Sequence, residues 1–384
     1  MSISQSFWST RQRWEIASPV RRNHRRKRFG PSTGVPGNTG VIMRLRYRLG
    51  STHVLFIIAA GLMPIAPAIA WDAHGHRVIT LVALDGLASD QVLPAWLNEP
   101  EWRSRAAYQS AEPDRWRGQR TPALVHENNT DHYIDLEYLE PYGLTLRTIP
   151  PLRHEFIRQM SVMRGQHPER WPMYSAANDP FGDKFWPGFL PHAMMEHYAK
   201  LQASFRTLRL LEAQGEDDKR AAQIAQARAN VIFHIGTLSH FVGDAAQPLH
   251  TTQHFNGWVE AIDGNPNAYT TSNKFHSYID GGVLDLHKIV YQDIRTRADY
   301  DISVNAADPW SDVLSHIERS FAHMETLYKM EKDGSLDQAA GKELIEARLT
   351  DGAEVLSAMI KAAWQTSEPD GAEVKRFAGW TPAE

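Results

Sequence analysis

From Trp71 onward, apolar residues recur at spacings of three and four, the period of helices that bury one face. No alternating strand series and no glycine-rich strand-to-helix turn interrupts that pattern. Three segments are clearest, Arg77 to Leu87, Leu201 to Ala213 and Asp217 to Gly243. The second can begin earlier, because Pro191 suits a first helical turn and PHAMMEHYAKLQASFRTLRLLEAQ keeps helical spacing from there. Pro248 and the Gly, Asn and Pro cluster of NGWVEAIDGNPNAYTTSN end this central region and open a long loop. Beyond it FHSYIDGGVLDLHKIV, SDVLSHIERSFAHMETLYKMEK and KELIEARLTDGAEVLSAMIKAAW are again helix-like. The expected fold is all-α, a multi-helix bundle with long loops, forming a single domain over residues 71–384 with no internal repeat.

The first 70 residues differ in kind. Residues 1–42 are rich in Arg, Ser and Gly and offer nothing that packs a core, so they are expected to be a disordered or untranslated extension. Met43 then begins MRLRYRLGSTHVLFIIAAGLMPIAPAIA, with a basic start, an apolar stretch and a small-residue ending at Ala68, Ile69 and Ala70. That is the layout of a signal peptide over 43–70, cleaved near Ala70, and it implies a secreted or periplasmic protein. Residues 1–70 hold 11 of the 41 Lys and Arg and one of the 45 acids, so the remainder carries a net charge of about −14. A surface of that sign gives no general attraction for nucleic-acid phosphates, so a phosphate substrate needs local positive charge such as bound metal. With no cysteine and 18 histidines, any zinc must be held by imidazole nitrogen and carboxylate oxygen.

Candidate ligands lie in the most apolar part of the chain. In LSHFVGDAAQPLHTTQH, His240 and Asp244 are four apart on one helical face, and His250 follows just past Pro248. A carboxylate in such a run must be paired or metal-bound if it is buried. A second pair with the same spacing is His276 and Asp280 in FHSYIDGG. Two such pairs alone are more often local ion pairs on helix surfaces. Further candidates are His76 in WDAHGH, Asp114 in AEPDRWRG, and His132 and Asp135 in DHYIDLE. His74, His126, His192, His197 and His254 are left as surface or core residues, with His234 the best candidate for supporting a ligand from behind.

In chain order, WDAHGH, Asp114, HYID, HFVGDAAQPLH and HSYID resemble the type I nucleases of plants, fungi and bacteria. These are trinuclear-zinc enzymes that prefer single strands and share their fold with the zinc-dependent bacterial phospholipases C. The resemblance spans ligand segments from Trp71 to Asp280. It implies three Zn2+, the first held by Asp114, His132, His240 and Asp244. The second would take Trp71, through a freed amine and its carbonyl, together with His76 and the shared Asp244; the third would take His250, His276 and Asp280. It further implies phosphodiester hydrolysis by a zinc-activated hydroxide, with Asp114 and Asp244 as catalytic carboxylates. A pair of zinc ions lowers the pKa of a bound water to about 7 and places hydroxide in line with phosphorus.

Three features favour an endonuclease acting on single-stranded DNA and RNA: the short Trp71 to His76 interval, Asp135 in place to read a base edge, and Asp280 as last ligand. Others point to the alternative, a phospholipase C acting on phospholipid. The nuclease Gly-Gly-Asn loop is replaced by NGWVEAIDGNPNAYTTSNK, and Phe275 and Ser277 of FHSYID are lipase-like. The insertion RWPMYSAANDPFGDKFWPGF, with Trp171, Tyr174, Phe181, Phe185, Trp186 and Phe189, has no counterpart in either group. Its rings could stack unpaired bases or enter a lipid interface, but packing onto the bundle is the simpler expectation. Nothing in the sequence calls for an obligate protein partner.

Overall fold

Long helices with a continuous apolar face carry the molecule. The computed structural model describes Trp71 to Trp380, apart from residues 89–92, 120, 174, 178 and 216–217. The expected extension over 1–42 and signal segment over 43–70 lie outside these described residues, which fall in one compact unit. Eight helices are named here: α1 (Ala73–Ala88), α2 (Pro100–Gln109), α3 (Glu112–Gly118), α4 (Arg153–Gln166), α5 (Leu190–Glu212), α6 (Asp218–Ala246), α7 (Pro309–Phe321) and α8 (Ala339–Gln365). The all-α expectation holds, since extended pairing among the described residues is limited to isolated bridges at Ile134–Gly188 and Phe255–Gly257. No helix among them is long and apolar enough to cross a membrane.

The centre is the pair α5 and α6, with α8 packed against both and α1 against α8. Leu201, Phe205 and Leu208 of α5 and Val231, Ile235 and Leu238 of α6 are buried in the same core as Leu349, Leu356 and Met359 of α8. From Leu349 to Ile360 every residue of α8 is buried, as expected of a helix enclosed on all sides. Its buried Asp351 accepts from Arg319 and faces His316 Nδ1 at 3.0 Å, while His316 Nε2 donates to the Val242 carbonyl at 3.1 Å. Val242 stands between His240 and Asp244, so this network ties the α6 segment that bears them to α7 and α8.

Helix ends depart from expectation by a few residues. α5 begins at Leu190 with Pro191 in its first turn, and α6 runs on to Ala246. The segment expected as one helix from Phe275 is instead a helical turn (Phe275–Ser277), a π-helical turn (Tyr278–Gly282) and a short helix (Val283–His287) ended by Lys288 at φ 52°. The segment from Ser311 likewise breaks after Phe321 and resumes over Met324–Asp333.

The aromatic insertion mostly packs. Trp171 stacks near Tyr142 with centroids 4.7 Å apart, and Phe189 is buried against Phe156. Trp186 lies under the Arg164 guanidinium at 4.1 Å, and Tyr174 is outside the described residues. The returning strand of the insertion braces the HYID segment: Asp135 N donates to Pro187 O at 2.6 Å and Leu190 N to Tyr133 O at 3.1 Å.

Candidate metal centre

Six separate segments deliver the candidate ligands to one region. α1 supplies His76, α3 Asp114, the 3-10 turn Asn129–His132 supplies His132, and α6 supplies His240 and Asp244. His250 comes from the 3-10 turn after Pro248, and His276 and Asp280 from the π-containing segment. Their donor atoms converge into three groups, His76 with His240 and Asp244, Asp114 with His132 and His240, and His250 with His276 and Asp280. Each group could hold a metal ion.

Asp244 belongs to the first group and also faces His132 of the second. Its Oδ1 is 3.4 Å from His76 Nε2, while its Oδ2 is 3.0 Å from His132 Nδ1 and 3.4 Å from His240 Nε2. Asp114 Oδ1 stands 4.0 Å from His132 Nδ1 and 3.9 Å from His240 Nε2. In the third group His250 Nε2 lies 3.0 Å from His276 Nε2, which is 3.1 Å from Asp280 Oδ2. The placement differs from the expected division in two respects: His240 stands in both of the first two groups, and Asp244 groups with His76 and His240 but not with Asp114 and His132. Its ring also stacks on His76 with centroids 4.1 Å apart.

Hydrogen bonds behind the ligands fix which atoms face inward. His240 Nδ1 donates to Ser110 O at 2.7 Å, His250 Nδ1 to His132 O, and His276 Nδ1 to Phe255 O at 3.2 Å. Each neutral ring therefore turns the lone pair of Nε2 toward its partners. Gln247 donates to Asp280 Oδ1 at 2.8 Å, leaving Oδ2 for the cluster. His234, expected to support a ligand, does not; it faces Lys200 and Asn230 in a groove between α5 and α6. Backbone carbonyls and Gln247 do that work instead, and the Gln247 signal lies in the QP of HFVGDAAQPLH.

The electrostatics of the groups suit a cation. Burial pulls the His76, His250 and His276 imidazoles down to about 3, and takes His132 and His240 well below the usual histidine range. Burial also pushes Asp114 up to about 7 and Asp280 to about 8, and raises Asp244 far above a normal carboxylate. Unprotonated imidazole nitrogens thus face carboxyl groups at 3.0 to 4.0 Å, a donor set that a cation could fill. Asp114 Oδ1 and Oδ2, Asp244 Oδ1, Asp280 Oδ2 and both His76 nitrogens are buried without a hydrogen-bond partner. Such orphaned acceptors are costly unless a cation sits among them. The nitrogen and oxygen donor set, free of sulfur, suits zinc.

Trp71 is fully buried, and the next residue, Asp72, donates its N–H to Asp280 O at 3.0 Å while its carboxylate caps α1 through His74 N and Gly75 N. The start of α1 is therefore fastened to the third cluster.

A cavity of about 150 Å³ opens beside the clusters, lined by Arg117, His132, Tyr133, Asp135, Leu249, His250, Phe255 and His276. Asp135 opens onto it, and burial, then Glu137, pushes its carboxyl well above the usual range. Arg117, which the sequence reading did not single out, makes no hydrogen bond or ion pair among the described residues; its signal was its position three residues after Asp114 on the short α3. No protein-family model matches this chain, and no curated protein does.

Proposed function

We propose that the chain is a zinc-dependent phosphodiesterase, an endonuclease cleaving single-stranded DNA and RNA. The observation that supports it best is Asp244, whose two oxygens face different histidines, one of which, His132, lines a cavity together with His250 and His276 of the third group. Bound zinc would supply the Lewis acidity that activates water and neutralises charge on the phosphate. His76, Asp114, His132, His240, Asp244, His250, His276 and Asp280 would hold it, with the Trp71 amine and carbonyl completing the set if the chain is cleaved after Ala70.

The remaining roles belong to the chain itself. Arg117 is an uncommitted guanidinium at the cavity wall, suited to two oxygens of a phosphodiester. It supplies the local positive charge that an acidic protein otherwise lacks. Tyr133 and Phe255 give the cavity aromatic walls, and Asp135 presents a carboxyl to a base edge between them. A planar heterocycle fits that combination better than a flexible headgroup. Export follows from the signal-like segment over 43–70.

The test is metal analysis of the full chain and of a form beginning at Trp71, followed by assays on single-stranded DNA, RNA and phosphatidylcholine. About three zinc ions with nucleic-acid cleavage is the expected result. Turnover of phosphatidylcholine alone would transfer the protein to the phospholipase C alternative, and a protein that takes up no zinc would end the proposal.

A further inference from the structure

Among the described residues three aromatic rings are left markedly exposed, Tyr108, Phe255 and Phe185. Phe255 lines the cavity and Tyr108 lies beneath the Arg115 guanidinium at 4.2 Å. Phe185 has no ring or cation partner, is 40% exposed, and sits at φ 62°. A bulky residue in the left-handed region is a costly outlier that persists only where its surroundings fix it.

The surroundings are built to do so. Buried Asp179 accepts the N–H of Asp183 at 3.0 Å and of Lys184 at 3.3 Å. Asp183 in turn accepts from the Asn129 amide at 2.7 Å. The Tyr142 hydroxyl donates to the Phe185 carbonyl at 3.2 Å, and the Trp186 indole donates to Gly182 O at 3.3 Å. Trp171 and Phe189 are buried and Trp186 is partly buried, so among the described rings of the insertion Phe185 is the most exposed. A partly exposed phenylalanine held in a strained backbone conformation leaves part of its ring open to a ligand.

Its position says which ligand. Pro187, two residues on, accepts the backbone N–H of Asp135, and Asp135 lines the cavity, so the turn that carries Phe185 leads directly into the chain that borders the cavity. We propose that Phe185 is a stacking platform for the nucleotide next to the one seated between Tyr133, Phe255 and Asp135. The inference rests on the nuclease activity proposed above and deepens it: the preferred substrate is a strand rather than an isolated nucleotide ester. An unpaired base needs one exposed ring face, whereas a lipid interface needs several contiguous apolar side chains, and the neighbours here are Asp183 and Lys184.

The experiment compares the wild type with F185N and F185W. Asparagine tolerates the left-handed backbone, so F185N is expected to keep its melting temperature. It should lose about tenfold in kcat/KM on a single-stranded hexanucleotide and about tenfold in affinity for a phosphorothioate hexamer followed by fluorescence anisotropy. Hydrolysis of the 4-nitrophenyl phosphodiester of thymidine should be unchanged, and F185W should restore hexamer binding. Unchanged hexamer kinetics in F185N, with an active wild type, would overturn the platform alone. Equal loss on both substrates, or loss that tryptophan fails to rescue, would also overturn it. A wild type that hydrolyses phosphatidylcholine vesicles and no oligonucleotide would remove the nuclease proposal and the platform together.

Discussion

Asp244 shows how much one side chain can be asked to do. It is fully buried, and its two oxygens face different imidazoles, one on the His76 side and one on the His132 side. If it bridges two ions, Asp244→Ala should remove about two of three zinc ions per chain, whereas Asp280→Ala should remove about one. Elemental analysis of the two purified variants, with circular dichroism to verify that each is folded, separates these outcomes. Equal loss in both would contradict the bridge. The contrast is specific to the arrangement, because both residues are buried carboxylates on helical turns and would be equally destructive if they were only structural ion-pair partners.

At the scale of elements, the geometry of α6 depends on what it omits. A β-carbon on Gly243 would stand 2.8 Å from His76 Nδ1, so the glycine lets α1 approach closely enough for His76 to reach Asp244. Gly243→Ala improves the intrinsic helix propensity by about 1 kcal/mol yet should displace the His76 ring. Zinc affinity at that group is expected to fall on the order of 10- to 100-fold, the usual effect of disturbing a ligand's support. Titration against a competing chelator measures it, and unaltered affinity would mean that His76 is not a ligand. The ligand pair on α6 was legible because helix period and HxxxD spacing coincide. The π-helical turn at Tyr278–Gly282 was not, since the extra residue in the turn is set by the contact of Asp280 with Gln247 and Asp72 rather than by local periodicity. Arg117 was not legible, and Phe185 was legible only as one ring of the insertion. Surface arginines and aromatics are common, and what sets these two apart, a guanidinium on the cavity wall and a partly exposed ring on a strained backbone, only tertiary packing reveals.

For the whole molecule, the clusters are a store of unfavourable electrostatics that bound metal should relieve, and pH exposes it. A carboxyl with a higher pKa folded than unfolded holds more proton in the folded chain, so stability is lost as pH rises through that window. The window for Asp280 runs from about 3.9 unfolded to about 8 folded, and for Asp114 to about 7. His76, His250 and His276, lowered to about 3, act in the opposite sense. They contribute stability as pH rises from there to about 6.5 and add nothing further above it. The two effects oppose each other below pH 6.5, and between 6.5 and 8 only the carboxyl loss remains. At about 1.4 kcal/mol per pH unit, Asp280 alone accounts for about 2 kcal/mol across that interval. Chelator-treated protein should therefore unfold at a lower urea concentration at pH 8 than at pH 6.5. Zinc-loaded protein keeps the same carboxylates ionised against a cation and should not show that decline. Urea midpoints at both pH values, with and without zinc, decide the matter: parallel pH dependence in the two forms would mean that the buried acids are not the metal's ligands.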